Sequence, residues 1–152
     1  MEKKNMKKYL ELSTEIANLF SHDDLTKVGS VILEKNSLDI ISTGYNRFPI
    51  NNCDKDIESQ IEIMNQSPKK YTSIIHAEET AIKNAKKYNL PLKGNIIVVT
   101  QIPCKNCAIL IIKSGISKVV TYRREVVGDY WNDEISHRLF KKYGIEVETY
   151  EG

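Results

Sequence analysis

His76 and Glu78 open the stretch HAEETAIKNAKK, and Cys104 and Cys107 open CKNCAILIIKSG. One imidazole, one carboxylate and two thiols make a set that can hold a metal and move protons beside it. Each pair begins a segment with the apolar spacing of a helix and follows a stretch that reads as extended. Pro103, directly before Cys104, is a residue at home near a helix N-terminus. A helix start carries unpaired N–H groups and partial positive charge, which lowers a thiol pKa toward the thiolate that binds metal. One histidine and two cysteines give three ligands for Zn2+. Structural zinc sites usually close with four protein ligands, whereas three leave a place for water, the catalytic pattern. Zinc brings the pKa of such a water from about 15.7 to about 7. Glu78, on the first turn of its helix, cannot easily share the ion with His76, but it can reach the water and move its protons. Positioned acid–base groups of this kind supply about 10²- to 10⁴-fold in rate.

Each half alone has a plainer reading. A glutamate in the first turn of a helix also favours the helix dipole, and a C-x-x-C pair also reads as a redox dithiol. Their joint occurrence selects the catalytic zinc site.

These residues need a frame to bring them together. Tyr9, Leu12, Ile16, Leu19 and Phe20 share one helical face, which predicts a first helix from about Lys4 to Ser21. The segment around Val28 to Leu33 alternates, Lys35, Asn36 and Ser37 form a turn, and Leu38 to Thr43 is apolar; this predicts a β-hairpin with one or both faces covered. Residues 46 to 72 are irregular, with a short helix expected from Asp56 to Gln66; so long a loop is usually functional or mobile. A helix follows from His76 to Tyr88, then the strand GNIIVVT, then the cysteine helix stopped by Gly115. ISKVVTY reads as a strand, Asp133 to Lys142 as a helix stopped by Gly144, and IEVETY as the last strand. The order α-β-β-α-β-α-β-α-β implies an α/β fold of three layers, a central mixed five-stranded sheet covered on both faces.

The chain has 152 residues, a length that fits one domain, 1–152, with a proper core. A net charge of +2 implies no strong field for nucleic acid or membrane, so nucleic acid is disfavoured as a partner. No apolar run approaches a bilayer span. The charged start MEKKNMKKYLELSTEI lacks an apolar signal region, so a cytoplasmic protein is expected. Three cysteines, an odd number, argue against a secreted disulfide scaffold.

The segments HAEETAIKNA and PCKNCAILIIKSGISKVV together match the H-x-E and P-C-x-x-C signature of the zinc-dependent nucleobase deaminases. They resemble the two core motifs of the cytidine and deoxycytidylate deaminase superfamily. TKVGSVILEKNSLDIISTGYNRFP is similar to the deoxycytidylate branch, with its V-G-A-V-I strand and G-Y-N-G turn. The likeness runs from about Thr26 to Tyr122. It implies that His76, Cys104 and Cys107 bind zinc, that Glu78 is the proton shuttle, that Asn46 meets the sugar, and that the backbone N–H of Ala77 helps hold the pyrimidine. The implied reaction is hydrolytic: hydroxide attacks C4 of cytosine, Glu78 protonates N3 and then the amine, and ammonia leaves. Deoxycytidylate (dCMP) would become deoxyuridylate (dUMP). Relatives are commonly dimers to hexamers, which implies a homo-oligomer.

Two departures from the family stand out. The G-Y-N-G turn reads Gly44-Tyr45-Asn46-Arg47 here. In regulated members that region contributes to control by nucleoside triphosphates; an arginine there suits a substrate phosphate instead. Some relatives also carry a structural zinc in the N-terminal half, for which His22 and Cys53 are too few ligands. Tyr122, after a core strand, is a candidate for the pocket rim. Tyr130 and Trp131 are candidates for closing the pocket or packing the last helix. Lys70 reads as exposed, with a phosphate role as the lesser alternative. Rival functions stay open: a deaminase acting on another nucleoside or nucleotide, or on a base within RNA or DNA like the tRNA adenosine deaminases, and a non-catalytic zinc-binding protein, which would have no use for Glu78.

Overall fold

The computed structural model of the chain describes residues 5–50, 56–123 and 133–152. Cys53, Tyr130 and Trp131 lie outside them.

Helix α1, Lys7–Phe20, buries Leu10, Ser13 and Ala17 along one stripe. Its seryl and threonyl hydroxyls fold back onto the helix, Ser13 Oγ donating to Tyr9 O at 2.8 Å and Thr14 Oγ1 to Leu10 O at 2.9 Å. The hairpin pairs β1, Gly29–Leu33, with β2, Ile40–Tyr45, in antiparallel register. All five residues of β1 are buried, because β1 lies inside the sheet and has helices over both faces.

The irregular stretch holds the expected helix α2, Ile57–Gln66, capped by Asp56, whose side chain accepts from Ser59 N. It also holds a single turn, α3, Lys70–Ser73, which the sequence pattern did not reveal. Helix α4 spans Ala77–Lys87 and α5 spans Lys105–Lys113. Strands β3, Ile96–Val99, and β4, Lys118–Tyr122, are followed by α6, Asp133–Lys142, and β5, Glu146–Tyr150.

The five strands form one sheet in the order β2-β1-β3-β4-β5. β1 is antiparallel to both β2 and β3, and β3, β4 and β5 run parallel. The sheet is therefore mixed, as expected. Alternation along the strands divides the core in two. Val31, Leu33, Ile96, Val98 and Val120 meet Met6 and Leu10 on the α1 side. Ile32, Ile97, Val99 and Val119 meet Ala81, Ile82, Ala108, Ile111 and Phe140, from α4, α5 and α6, on the other. The fold is three-layered, with one helix on one face and three on the opposite face.

Two glycines set how closely these layers approach. A Cβ on Gly29 would run into the backbone of Ser13 in α1, and one on Gly44 into the carbonyl oxygen of Ala77 and the nitrogen of Ala81 in α4. Only glycine lets helix and strand backbones meet at that distance. Gly44 thus fixes the start of α4, where His76 and Glu78 sit.

Candidate active site

His76 is the N-cap of α4 and Cys104 is the N-cap of α5, both with extended backbone (φ −74°, ψ 156° and φ −67°, ψ 170°). Neither side chain caps its own helix, so both are free to turn toward each other. Their carbonyls already accept the first helical bonds, from Thr80 N at 3.0 Å and Ala108 N at 2.8 Å. Cys107 lies on the first turn of α5 and is buried. The segment before His76 is tied down by a two-way bridge to the hairpin: Arg47 N donates to Ile75 O at 2.9 Å and Ile75 N to Arg47 O at 2.7 Å.

His76 Nδ1 lies 3.5 Å from Cys104 Sγ and 3.3 Å from Cys107 Sγ. The three ligand atoms all lie within 4.8 Å of one another. Zinc bonds of about 2.0–2.1 Å to nitrogen and 2.3 Å to sulfur, at tetrahedral angles, place nitrogen and sulfur about 3.5 Å apart. The residues fit a zinc ion by atom type and by spacing. Among the described residues no other cluster of histidine, cysteine or acidic side chains has such spacing.

Glu78 is only 4% exposed. Burial pushes its carboxyl up to about 7, against the pull of its own backbone N–H, the His76 charge and the Cys107 thiol. A carboxyl poised there exchanges a proton readily at neutral pH. The thiols split. The hydrogen bond from Cys107 brings Cys104 down to about 4, with burial opposing and His76 assisting. The same bond to Cys104, together with burial, pushes Cys107 far up. His76 is raised, first by its hydrogen bond to Cys104.

His76, Glu78 and Cys104 open onto a cavity of about 660 Å³, lined also by Ala77, Asp23, Thr26, Val28, Asn46, Tyr71, Gln101, Lys105 and Ser136. Its size is that of a small-molecule site. Asn46 is buried, with Oδ1 accepting from Val28 N at 3.0 Å and from Ser21 Oγ, and Nδ2 donating to Thr26 O at 2.7 Å. It therefore shapes the loop beside the cavity as well as lining it. Ser136 Oγ donates to Pro103 O at 2.6 Å, pinning α6 to the residue before Cys104.

Three other residues fall elsewhere than the sequence suggested. Arg47 is exposed and is not among the residues lining the cavity; its backbone, rather than its guanidinium, meets the site's framework. Tyr122 points to the α1 side with Val120, packed against the cluster that holds Met6 and Leu10, and it does not line the cavity. Strand alternation is the reason, since Tyr122 shares the parity of Val120 and not that of Val119. Lys70, read as exposed, is 5% exposed and bonded to Asp23 at 2.7 Å and Asp24 at 2.9 Å. Asp23 is the residue the sequence reading missed. It is fully buried and lines the cavity. Its signal in the sequence is faint: an aspartate whose side chain accepts from the N–H groups two and three residues on, as turn aspartates do.

Comparison with known proteins agrees with this arrangement. A family model described as the cytidine and deoxycytidylate deaminase zinc-binding region matches residues 3–123. An uncharacterized deaminase in the luxG 3' region of Aliivibrio fischeri is 38% identical over 146 residues, covering 93% of this chain and 90% of that protein. The deoxycytidylate deaminase of Mus musculus is 32% identical over 131 residues, covering 86% of this chain and 71% of the mouse protein. The crystal structure of dCMP deaminase from cyanophage S-TIM5, in complex with dCMP and dUMP, superposes with a TM-score of 0.71 over 99% of both chains. Its 20% identity makes that a likeness of fold. Matched in sequence over most of its length and in the arrangement of its sheet and helices, the chain belongs to the cytidine and deoxycytidylate deaminase family.

Proposed function

We infer that this protein deaminates a cytosine nucleotide hydrolytically, with dCMP as substrate and dUMP and ammonia as products. The observation that carries the reading is the meeting of His76 Nδ1, Cys104 Sγ and Cys107 Sγ in one cluster, with the buried Glu78 in the same cavity. A zinc ion held by those three residues supplies Lewis acidity and lowers the pKa of water to about 7.

The chain's own groups do the rest. Glu78 takes a proton from the attacking water and gives it to ring N3. It then takes the second proton from the new C4 hydroxyl and gives it to the exocyclic amine, which departs as ammonia as the C4–N bond breaks and the C4 carbonyl forms. A carboxyl near 7 is matched to both halves of that exchange. The Ala77 N–H, one of the unpaired donors at the start of α4, holds the pyrimidine. Asn46 and its hydrogen-bonded loop set the position of the sugar. Exposed apolar side chains such as Leu19, Phe20 and Leu25 are consistent with a homo-oligomer, which light scattering reads directly.

Ammonia release from a panel of cytosine, its nucleosides and their mono-, di- and triphosphates tests the reading, with zinc-loaded protein. The expected result is the highest kcat/KM on dCMP. Conversion of adenosine in a tRNA anticodon stem, with no turnover of free nucleotides, would replace this reading with that of an RNA deaminase. No turnover of any compound would leave a zinc-binding protein without catalysis.

A further inference from the structure

Asp23 is 0% exposed. Its Oδ1 accepts from Leu25 N at 2.9 Å, Thr26 N at 3.1 Å and Lys70 Nζ at 2.7 Å. Its Oδ2 is buried and has no hydrogen-bond partner. Buried polar atoms almost always have partners, so an unpaired carboxylate oxygen calls for a donor. Asp23 lines the cavity that Glu78 and His76 share. The backbone of Asp23 is linked to Asn46: Asp23 N donates to Ser21 Oγ at 3.2 Å, and Ser21 Oγ donates in turn to Asn46 Oδ1.

The chemistry of Oδ2 restricts what it can take. Burial raises the carboxyl's pKa, but the donors from Lys70, Leu25 and Thr26 outweigh that and hold it low, so the group is a carboxylate and can only accept. It repels a phosphate. The amine of cytosine is committed to the reacting end, beside Glu78. What remains on a 2'-deoxynucleoside 5'-phosphate is a single hydroxyl, the 3'.

Resting on the function proposed above, we propose that Asp23 Oδ2 accepts a hydrogen bond from the substrate's 3'-hydroxyl and makes that hydroxyl a requirement for good turnover. A charged acceptor with its other oxygen fully occupied is held rigidly in place, so the contact selects as well as binds. A nucleotide bearing phosphate at the 3' position is rejected by charge.

The test compares dCMP with 2',3'-dideoxycytidine 5'-monophosphate, using zinc-loaded wild-type protein. A buried hydrogen bond to a charged group predicts a kcat/KM about 10- to 100-fold lower for the analogue. In Asp23→Asn the gap narrows, because dCMP loses rate while the analogue barely changes. Matching kcat/KM values for the two compounds on wild type overturn the contact and leave deamination standing. Equal losses on both compounds in Asp23→Asn also overturn it, since a purely structural role lowers them together. A wild-type protein that turns over neither compound overturns the underlying function and this inference with it. The wild-type comparison needs no variant to fold.

Discussion

Stripping the protein with a chelator and returning zinc at a series of pH values counts the protons that the ion must displace. In stripped protein Cys104, held down to about 4, is a thiolate across the neutral range. Cys107 keeps its proton, because its hydrogen bond to Cys104 and its burial push its pKa up. His76 is raised above its ordinary 6.5 and is protonated at the acidic end of the range. Zinc takes the deprotonated form of all three. Each displaced proton weakens apparent affinity about tenfold for every unit by which pH falls below that group's pKa. From about pH 8 to about pH 6, Cys107 alone gives a loss of roughly 10²-fold, and His76 adds to that loss as it gains its proton. The slope of log affinity against pH is near 1 at the upper end and steepens toward 2 as His76 gains its proton. Competition against a chromophoric chelator measures the affinity. Calorimetry in buffers of different ionisation enthalpy counts the protons independently. A flat profile across this range refutes the ligand assignment, because no set containing a protonated thiol can bind without releasing a proton.

Glu78→Gln is expected to keep its zinc, read by metal analysis, and to lose about 10²- to 10⁴-fold in kcat. The same change raises the stability of stripped protein. A carboxyl lifted from 4.5 to about 7 loses folding stability as pH rises between those values; removing it gains about 3 kcal/mol above pH 7 and nothing near pH 4, measurable by denaturant titration. Gly44→Ala places a Cβ 2.6 Å from Ala81 N; it should cost roughly 1–3 kcal/mol in chemical denaturation and weaken zinc binding by displacing the start of α4. Lys70→Met leaves the buried Asp23 charge without its cation and should cost about 3–5 kcal/mol in the same assay. In the parent protein, Asp23's lowered pKa contributes stability above its ordinary 3.8 that is lost as pH falls through the lowered value.

The ligands were readable because metal chemistry admits few residue types and helix starts leave marks in sequence. His76, Cys104 and Cys107 each sit where a helical pattern begins, and their meeting in space follows from the α/β order. The sheet was readable for a similar reason, in short β-branched runs such as Ile96–Val99 between helical patterns. Tyr122 lies with Val120 on the α1 side, a placement that strand parity alone implies. Lys70 and Asp23 could not be paired in advance. They lie 47 positions apart, on a loop and a single helical turn, and neither segment has a periodicity that reports what it touches. A lysine in such a stretch reads as solvated until its acidic partner is seen beside it.

The far ends of the helices that carry the ligands play no part in holding them. Only the opening residues of α4 and α5 reach the cavity, while Lys83, Lys86 and Lys87 at the other end of α4 face solvent. Labels, linkers or surface attachments placed on that outer end lie away from the reacting atoms, which makes it the natural handle for immobilising or tagging the molecule while it works.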